Sequence, residues 1–205
     1  MQGLMMDFPL TITSIMEHSE RVHGAQEIVS VTRDNPRHRY TYSDSFARVR
    51  QLANEMNGFG LDQSERIATL AWNDYRHFET YYAYACSGYV CHTINPRLFP
   101  EQIVYIINHA EDQYVFLDPD FWPLIEQVAP QCPGVKGWVV MTTPENMPET
   151  SLTNVHCYEQ LLKGQADTYA WPAIDENDAC ALCYTSGTTG NPKGVMYSHR
   201  STVLH

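Results

Sequence analysis

The sequence predicts an α/β protein in which a mostly parallel sheet is flanked by helices. Three observations carry that expectation. Between residues 66 and 141 the apolar segments run nearly unbroken, without the polar alternation of a half-exposed strand. Segments of helical period separate them, which is the rhythm of parallel strands joined by crossover helices. Near the end, an apolar stretch (Ala179-Cys180-Ala181-Leu182-Cys183) leads into a run of hydroxyl residues and glycines, Tyr184 to Gly194.

In chain order, Thr11 is placed to cap a helix on which Ile12, Ile15, Met16 and Val22 recur at helical spacing. Glu27 to Thr32 alternates as a strand, Asp34-Asn35-Pro36 turns, and Arg39 to Tyr42 returns, so the pair reads as a hairpin. Ser43 is the expected cap of a helix carrying Phe46, Val49, Leu52 and Met56, stopped by Gly58 and Gly60. Arg66 to Trp72 is a strand, and Asn73 is the expected cap of a helix reaching Gly88. Tyr89 to Ile94 is the next strand, Asn95-Pro96-Arg97 a turn, and Pro100 suits the first position of a helix through Ile103, Ile106, Ile107 and Ala110. Tyr114 to Leu117 is a strand, Asp120 starts a helix to Val128, and Gly137 to Met141 is a strand. Thr142 to Val155, with two prolines, reads as a surface loop. A short helix around Tyr158 to Leu162 and a linker, Ala166 to Asp178, lead back to the strand before the glycine-rich run. The last residues, Ser198 to His205, read as the first two turns of a helix, and the chain as one piece of a longer polypeptide.

Composition narrows the function. The 205 residues are 43% hydrophobic and 18% charged, as in a globular protein, and no apolar run approaches the roughly 20 residues that span a bilayer. The first residues lack the pattern of a secretory signal, so the expected compartment is the cytosol. A net charge of −11 without a Lys/Arg cluster argues against nucleic acid as a partner. Six cysteines are scattered through apolar runs. Cys180 and Cys183 form a C-x-x-C with no second pair, which suits buried thiols better than zinc.

The run Tyr184-Thr185-Ser186-Gly187-Thr188-Thr189-Gly190-Asn191-Pro192-Lys193-Gly194 has the composition of a polyphosphate cradle. Glycines bring backbone N–H groups close to a ligand, Thr and Ser add hydroxyl donors, and Lys193 adds a mobile positive charge. It is not a Walker A loop: Pro192 occupies the second glycine position, Gly194 follows the lysine where Ser or Thr belongs, and Val195-Met196-Tyr197 favours a strand rather than a helix. The dinucleotide fingerprint G-x-G-x-x-G is absent as well.

Position by position, Tyr184 to Val195 resembles the phosphate-binding signature of the adenylate-forming superfamily (acyl-CoA synthetases, adenylation domains of peptide synthetases, luciferases). That signature is Tyr/Phe, Ser/Thr, Ser/Thr, Gly, Ser/Thr, Thr, Gly, any residue, Pro, Lys, Gly, Val. Tyr197-Ser198-His199-Arg200 also looks like that superfamily, and Trp72-Asn73, Cys91 to Phe99 and Ile107 to Asp112 look like its medium- and long-chain fatty acyl-CoA synthetase branch. The resemblance implies that residues 1–205 are the N-terminal part of the large AMP-binding domain, an incomplete portion of that fold. The implied activity is a two-step ligase: a carboxylic acid, ATP and Mg²⁺ give an acyl adenylate, which coenzyme A then takes to the thioester. It further implies that Thr185, Ser186, Gly187, Thr188, Thr189, Gly190 and Lys193 hold the β- and γ-phosphates. Lys193 would neutralise charge, and Thr185 would lie nearest the metal. Parts expected later in such enzymes are missing, among them the acyl pocket and a mobile C-terminal domain, so the chain alone is expected to be inactive. A homodimer is implied by resemblance only. Two alternatives stand beside the fatty acid: an aryl, amino or short-chain acid as substrate, and a truncated, non-catalytic nucleotide-binding fragment.

Four other places invite a chemical role and have a structural alternative. His199 reads as a helix-start histidine before a general base, and Arg97 as a group bonding a carbonyl or carboxylate. Tyr81 and Tyr84 fall near one helix face, as packing residues would. His109-Ala110-Glu111-Asp112 reads as capping and solvent exposure at a helix end.

Overall fold

The computed structural model describes residues 1, 3–185 and 191–205. A two-stranded hairpin, β1 (Glu27–Ser30) and β2 (His38–Thr41), stands apart from a seven-stranded sheet. The sheet comprises β3 (Arg66–Leu70), β4 (Val90–Thr93), β5 (Tyr114–Leu117), β6 (Gly137–Val140), β7 (Val155–Cys157), β8 (Ala179–Thr185) and β9 (Lys193–Ser198). Their order is β7-β6-β5-β3-β4-β8-β9, and every pairing is parallel except β8 with β9. The helices are α1 (Ile12–His23), α2 (Tyr42–Met56), α3 (Tyr75–Cys86), α4 (Pro100–Ala110), α5 (Trp122–Val128), α6 (Tyr158–Leu162) and α7 (His199–Leu204).

The unbroken apolar strands are explained by cores on both sheet faces. Ile67, Phe116 and Val139 point to one side, where they meet Phe46, Val49 and Leu52 of α2, Tyr84 of α3 and Tyr158 of α6. Their neighbours Ala68, Leu70, Val115, Leu117, Trp138 and Val140 point to the other, against Ile103, Ile106 and Ile107 of α4 and Ile125 of α5. Alternation along each strand thus serves two buried faces at once.

Several expectations are adjusted. The cap of α2 is Thr41, not Ser43: its hydroxyl accepts from the Asp44 amide (3.2 Å) while Asp44 accepts from the Thr41 amide (2.9 Å). That reciprocal box satisfies two donors, which Ser43 could not do. The cap of α3 is Asp74 rather than Asn73, accepting from His77 N at 2.9 Å. Trp122, after a 3₁₀ turn at Pro119–Phe121, begins α5 in place of Asp120. Val22 of α1 is exposed rather than packed. The end of the 142–155 loop pairs with β6 as the edge strand β7, which its polar composition did not announce. The linker from α6 to β8 has no regular structure but is laced to α2: Asn54 Nδ2 donates to Ala166 O and Thr168 O (both 2.9 Å) and Arg50 Nε to Asp167 O (2.5 Å).

Candidate functional site

The two ends of the glycine-rich run lie on antiparallel strands, β8 and β9. Cys183 pairs with Val195, Tyr184 with Gly194 and Thr185 with Lys193. Directly opposed residues of such a pair share a face, so Thr185 and Lys193 stand side by side at the mouth, both exposed. The Thr185 hydroxyl points at Lys193 O across 3.5 Å. Ser186, Gly187, Thr188, Thr189 and Gly190, the other predicted phosphate-binding residues, lie outside the described residues. The lysine thus opens a strand, in contrast to the helix that follows a Walker loop.

Tyr184 occupies the opposite face. A Cβ on Gly194 would fall 3.2 Å from Tyr184 Cζ and 3.1 Å from Leu182 Cδ1, so the glycine after the lysine makes room for the tyrosine ring. Gly194→Val is expected to force ring and strand apart and to lower stability by about 1–3 kcal/mol, read by urea denaturation. The Tyr184 hydroxyl lies 2.6 Å from His109 Nδ1. The Tyr184 ring also packs 5.2 Å from that of His92, whose Nδ1 bonds both carboxylate oxygens of Asp112 (2.9 and 2.8 Å). His92 and Asp112 are fully enclosed, and burial pushes the Asp112 carboxyl up while His92 pulls it back.

This revises the reading of residues 109–112. Glu111, at φ 54°, ends α4 in the left-handed conformation and pairs with Arg66 (2.7 Å). The reversal sends His109 outward to Tyr184 and Asp112 inward to His92, so Asp112 is a core residue rather than an exposed cap. His and acid twenty residues apart on different elements leave no local pattern to find.

His199 is also enclosed. Its Nδ1 accepts from Ile12 N at 3.2 Å, tying α7 to the start of α1, and burial lowers its pKa. That is a structural duty, and it leaves no exposed nitrogen for a general base. The Arg97 guanidinium has no bonding partner among the described residues, contrary to expectation, although Asn95 Oδ1 does accept from Arg97 N (3.0 Å). Tyr84 is wholly buried, whereas Tyr81 is 41% exposed and lines an apolar groove of about 310 Å³ with Ile12, Phe78 and Ala181. In β8, Cys180 is buried and Cys183 Sγ lies 3.2 Å from Thr93 Oγ1.

A second concavity, about 440 Å³, opens at the carboxyl ends of β3, β5 and β6, lined by Arg33, Asp34, Trp72, Asp74, Asp118 and Thr142 among others. The chain leaves β3 toward β4 but leaves β5 toward β6, so this is the point where strand order reverses. Asp118 accepts from Trp72 N there, and burial raises its pKa to about 7. A carboxyl whose folded pKa lies above its ordinary 3.8 stabilises the fold at low pH and loses that contribution as pH rises toward 7. Asp118→Asn keeps the acceptor without the charge. It is expected to raise the melting temperature by about 5 °C at pH 8 and to leave it nearly unchanged at pH 4, in calorimetry across that range.

Among the described residues no helix is long and apolar enough to cross a membrane. The sheet and its helices define an α/β class in which an antiparallel strand pair closes one edge of a parallel sheet. The family model described as "AMP-binding enzyme" matches residues 16–204, and the chain belongs to that family. It is 50% identical over all 205 residues to a medium-chain-fatty-acid–CoA ligase of Ectopseudomonas oleovorans and 48% identical to a 3-methylmercaptopropionyl-CoA ligase of Ruegeria lacuscaerulensis. In both cases all of this chain covers 38% of the relative. The solved structure of the anthranilate CoA ligase AuaEII, in complex with anthranoyl-AMP, superposes with a TM-score of 0.80 at 23% identity, over 95% of this chain and 36% of that one, which is a likeness of fold.

Proposed function

We propose that this chain is the N-terminal part of the AMP-binding domain of an acyl-CoA synthetase that activates a medium- or long-chain fatty acid with ATP. The observation that carries the reading is the pairing of Thr185 with Lys193 on the two strands that flank the sequence Ser-Gly-Thr-Thr-Gly-Asn-Pro. Attack of the acid carboxylate on the α-phosphate expels pyrophosphate, and that leaving group gathers negative charge as the bond breaks. The exposed Lys193 ammonium would meet that charge, and the hydroxyls and backbone N–H groups of residues 185–190 would hold its oxygens. Among the described residues no group of three or more His, Cys, Asp or Glu could hold a metal. One Thr185 hydroxyl together with phosphate oxygens nonetheless suits Mg²⁺, which prefers substrate phosphates and water to an all-protein cage. When bound, Mg²⁺ would neutralise part of the phosphate charge. Coenzyme A, as co-substrate, would take the acyl group in the second step. We place the enzyme in the cytosol and expect it to form a homodimer.

The near-equal likeness to a 3-methylmercaptopropionyl-CoA ligase favours a short, thioether-bearing acid as the second reading. Acid-dependent ATP–pyrophosphate exchange by the full-length polypeptide decides between them. The panel is octanoate, palmitate, 3-methylmercaptopropionate, benzoate and alanine. Exchange with octanoate or palmitate supports the fatty-acid reading, and preference for the thioether acid supports the second. Binding of ATP without exchange on any acid would overturn both and leave a non-catalytic nucleotide binder.

A further inference from the structure

We infer that His109 and Tyr184 are positioning residues that anchor the stems of the glycine-rich hairpin and so set the register of its phosphate-binding mouth. The inference rests on the adenylation reading above for its kinetic consequence, while its structural part stands on geometry alone. Tyr184 is the last side chain of β8 before Thr185, and it touches three elements. Its hydroxyl meets His109 of α4 at 2.6 Å. Its ring crosses Gly194, the first residue of β9 after the lysine, so closely that a Cβ would crowd it. The third contact is His92 of β4, 5.2 Å away between ring centroids and held by Asp112. His109 is itself braced, its ring lying 5.2 Å from Tyr105 one turn earlier. One tyrosine therefore pins both stems to the helix beneath the sheet.

Strand alternation turns that anchor into an effect on the ligand. Tyr184 and Thr185 point to opposite faces, so fixing the tyrosine inward fixes the threonine outward, beside Lys193. A tyrosine freed from His109 can rock on Gly194, which has no side chain to resist, and Thr185 and Lys193 rock with it. The family signature accepts Phe at this position, so the hydroxyl contact belongs to this chain and not to the loop type as such.

The test uses the full-length polypeptide with Tyr184→Phe, His109→Ala, their double variant and His109→Gln, whose amide can again meet the hydroxyl. With the acid that supports exchange in the wild type, Tyr184→Phe and His109→Ala are each expected to raise the KM for ATP about 5–10-fold, the loss of one hydrogen bond, and to leave the KM for the acid unchanged. The double variant should be no worse than either single one, and His109→Gln should recover most of the loss. In parallel, hydrogen exchange of residues 183–185 and 193–195 should quicken by a similar factor in the single variants while β3 and β5 are unaffected. Unchanged exchange of the stems in every variant would overturn the anchor. So would an unchanged KM for ATP, or equal rises for ATP and acid, in an active wild type. A wild type that exchanges with no acid removes the adenylation reading instead, and the hydrogen-exchange comparison still decides the anchor.

Discussion

Lys193→Ala in the full-length polypeptide is expected to reduce acid-dependent ATP–pyrophosphate exchange about 10²–10³-fold, the scale of losing one preorganised charge stabiliser of a developing anion. The argument starts from position. Lys193 is the first residue of β9, exposed, directly across from Thr185, so its side chain springs from a fixed base beside that hydroxyl. Charge that grows on a leaving pyrophosphate rewards a cation more in the transition state than in the bound substrate, so the loss should fall chiefly on turnover. Arginine keeps the charge but replaces a compact ammonium with a planar fork, and Lys193→Arg should restore only part of the rate. Because the side chain is exposed, the melting temperature should stay within about 1–2 °C of wild type. Undiminished exchange in Lys193→Ala would remove the assignment.

Glu79→Ala is expected to destabilise the fold by about 3–5 kcal/mol, the cost of breaking a buried ion pair by removing one partner. Glu79 is wholly buried at the centre of a network that joins four elements. Its Oε1 accepts from Arg48 Nε (2.7 Å) and the Tyr40 hydroxyl (3.1 Å), and its Oε2 accepts from the Tyr158 hydroxyl (2.7 Å). Arg48 continues to Glu159 through two bonds of 3.0 and 3.1 Å, and Arg76 links Glu159 (2.8 Å) to Asp34 (2.8 and 3.2 Å). Burial pushes the Glu79 carboxyl upward and Arg48 draws it back. Glu159, half-buried, is held below the ordinary range by Arg48 and Arg76. Alanine at 79 would leave the Tyr158 hydroxyl and Arg48 Nε without an acceptor, while the Tyr40 hydroxyl keeps Ser45 Oγ (3.0 Å). The double variant Arg48→Met with Glu79→Leu removes donor and acceptor at once and should cost clearly less than the sum of the single changes in urea denaturation. Additive losses would show that the pair acts independently.

How far the sequence reached is clear from these elements. The strands β3 to β6 were legible because burial on both faces writes an unbroken apolar run, and α1 was legible because Thr11 precedes it as a cap, accepting from Ser14 N. The caps of α2 and α3 were misplaced by one or two residues, where Thr41 and Asp74 outcompeted a neighbouring Ser43 and Asn73. Of the candidate site, Thr185 and Lys193 were legible from a dense local signature, and the structure sets them side by side. The rest was hidden for a common reason. His92 with Asp112, His109 with Tyr184 and Arg48 with Glu159 are contacts made by topology across long stretches of chain, and neither partner carries a mark of the other in its own neighbourhood.

The place of β8 beside β4, away from β7, also fixes a sequence of events. Thr93 and Cys183, which meet across that pairing, are separated by 90 residues, whereas β3, β4, β5 and β6 each join a neighbour after one short crossover. Closing the longer loop costs more chain entropy, and it cannot begin until the linker laced to α2 has been synthesised. The body of the sheet is therefore expected to assemble before the β8–β9 hairpin docks. A nascent chain that has emerged from the ribosome as far as residue 165 would carry β3 to β7 with one strand edge, β4, still without its partner.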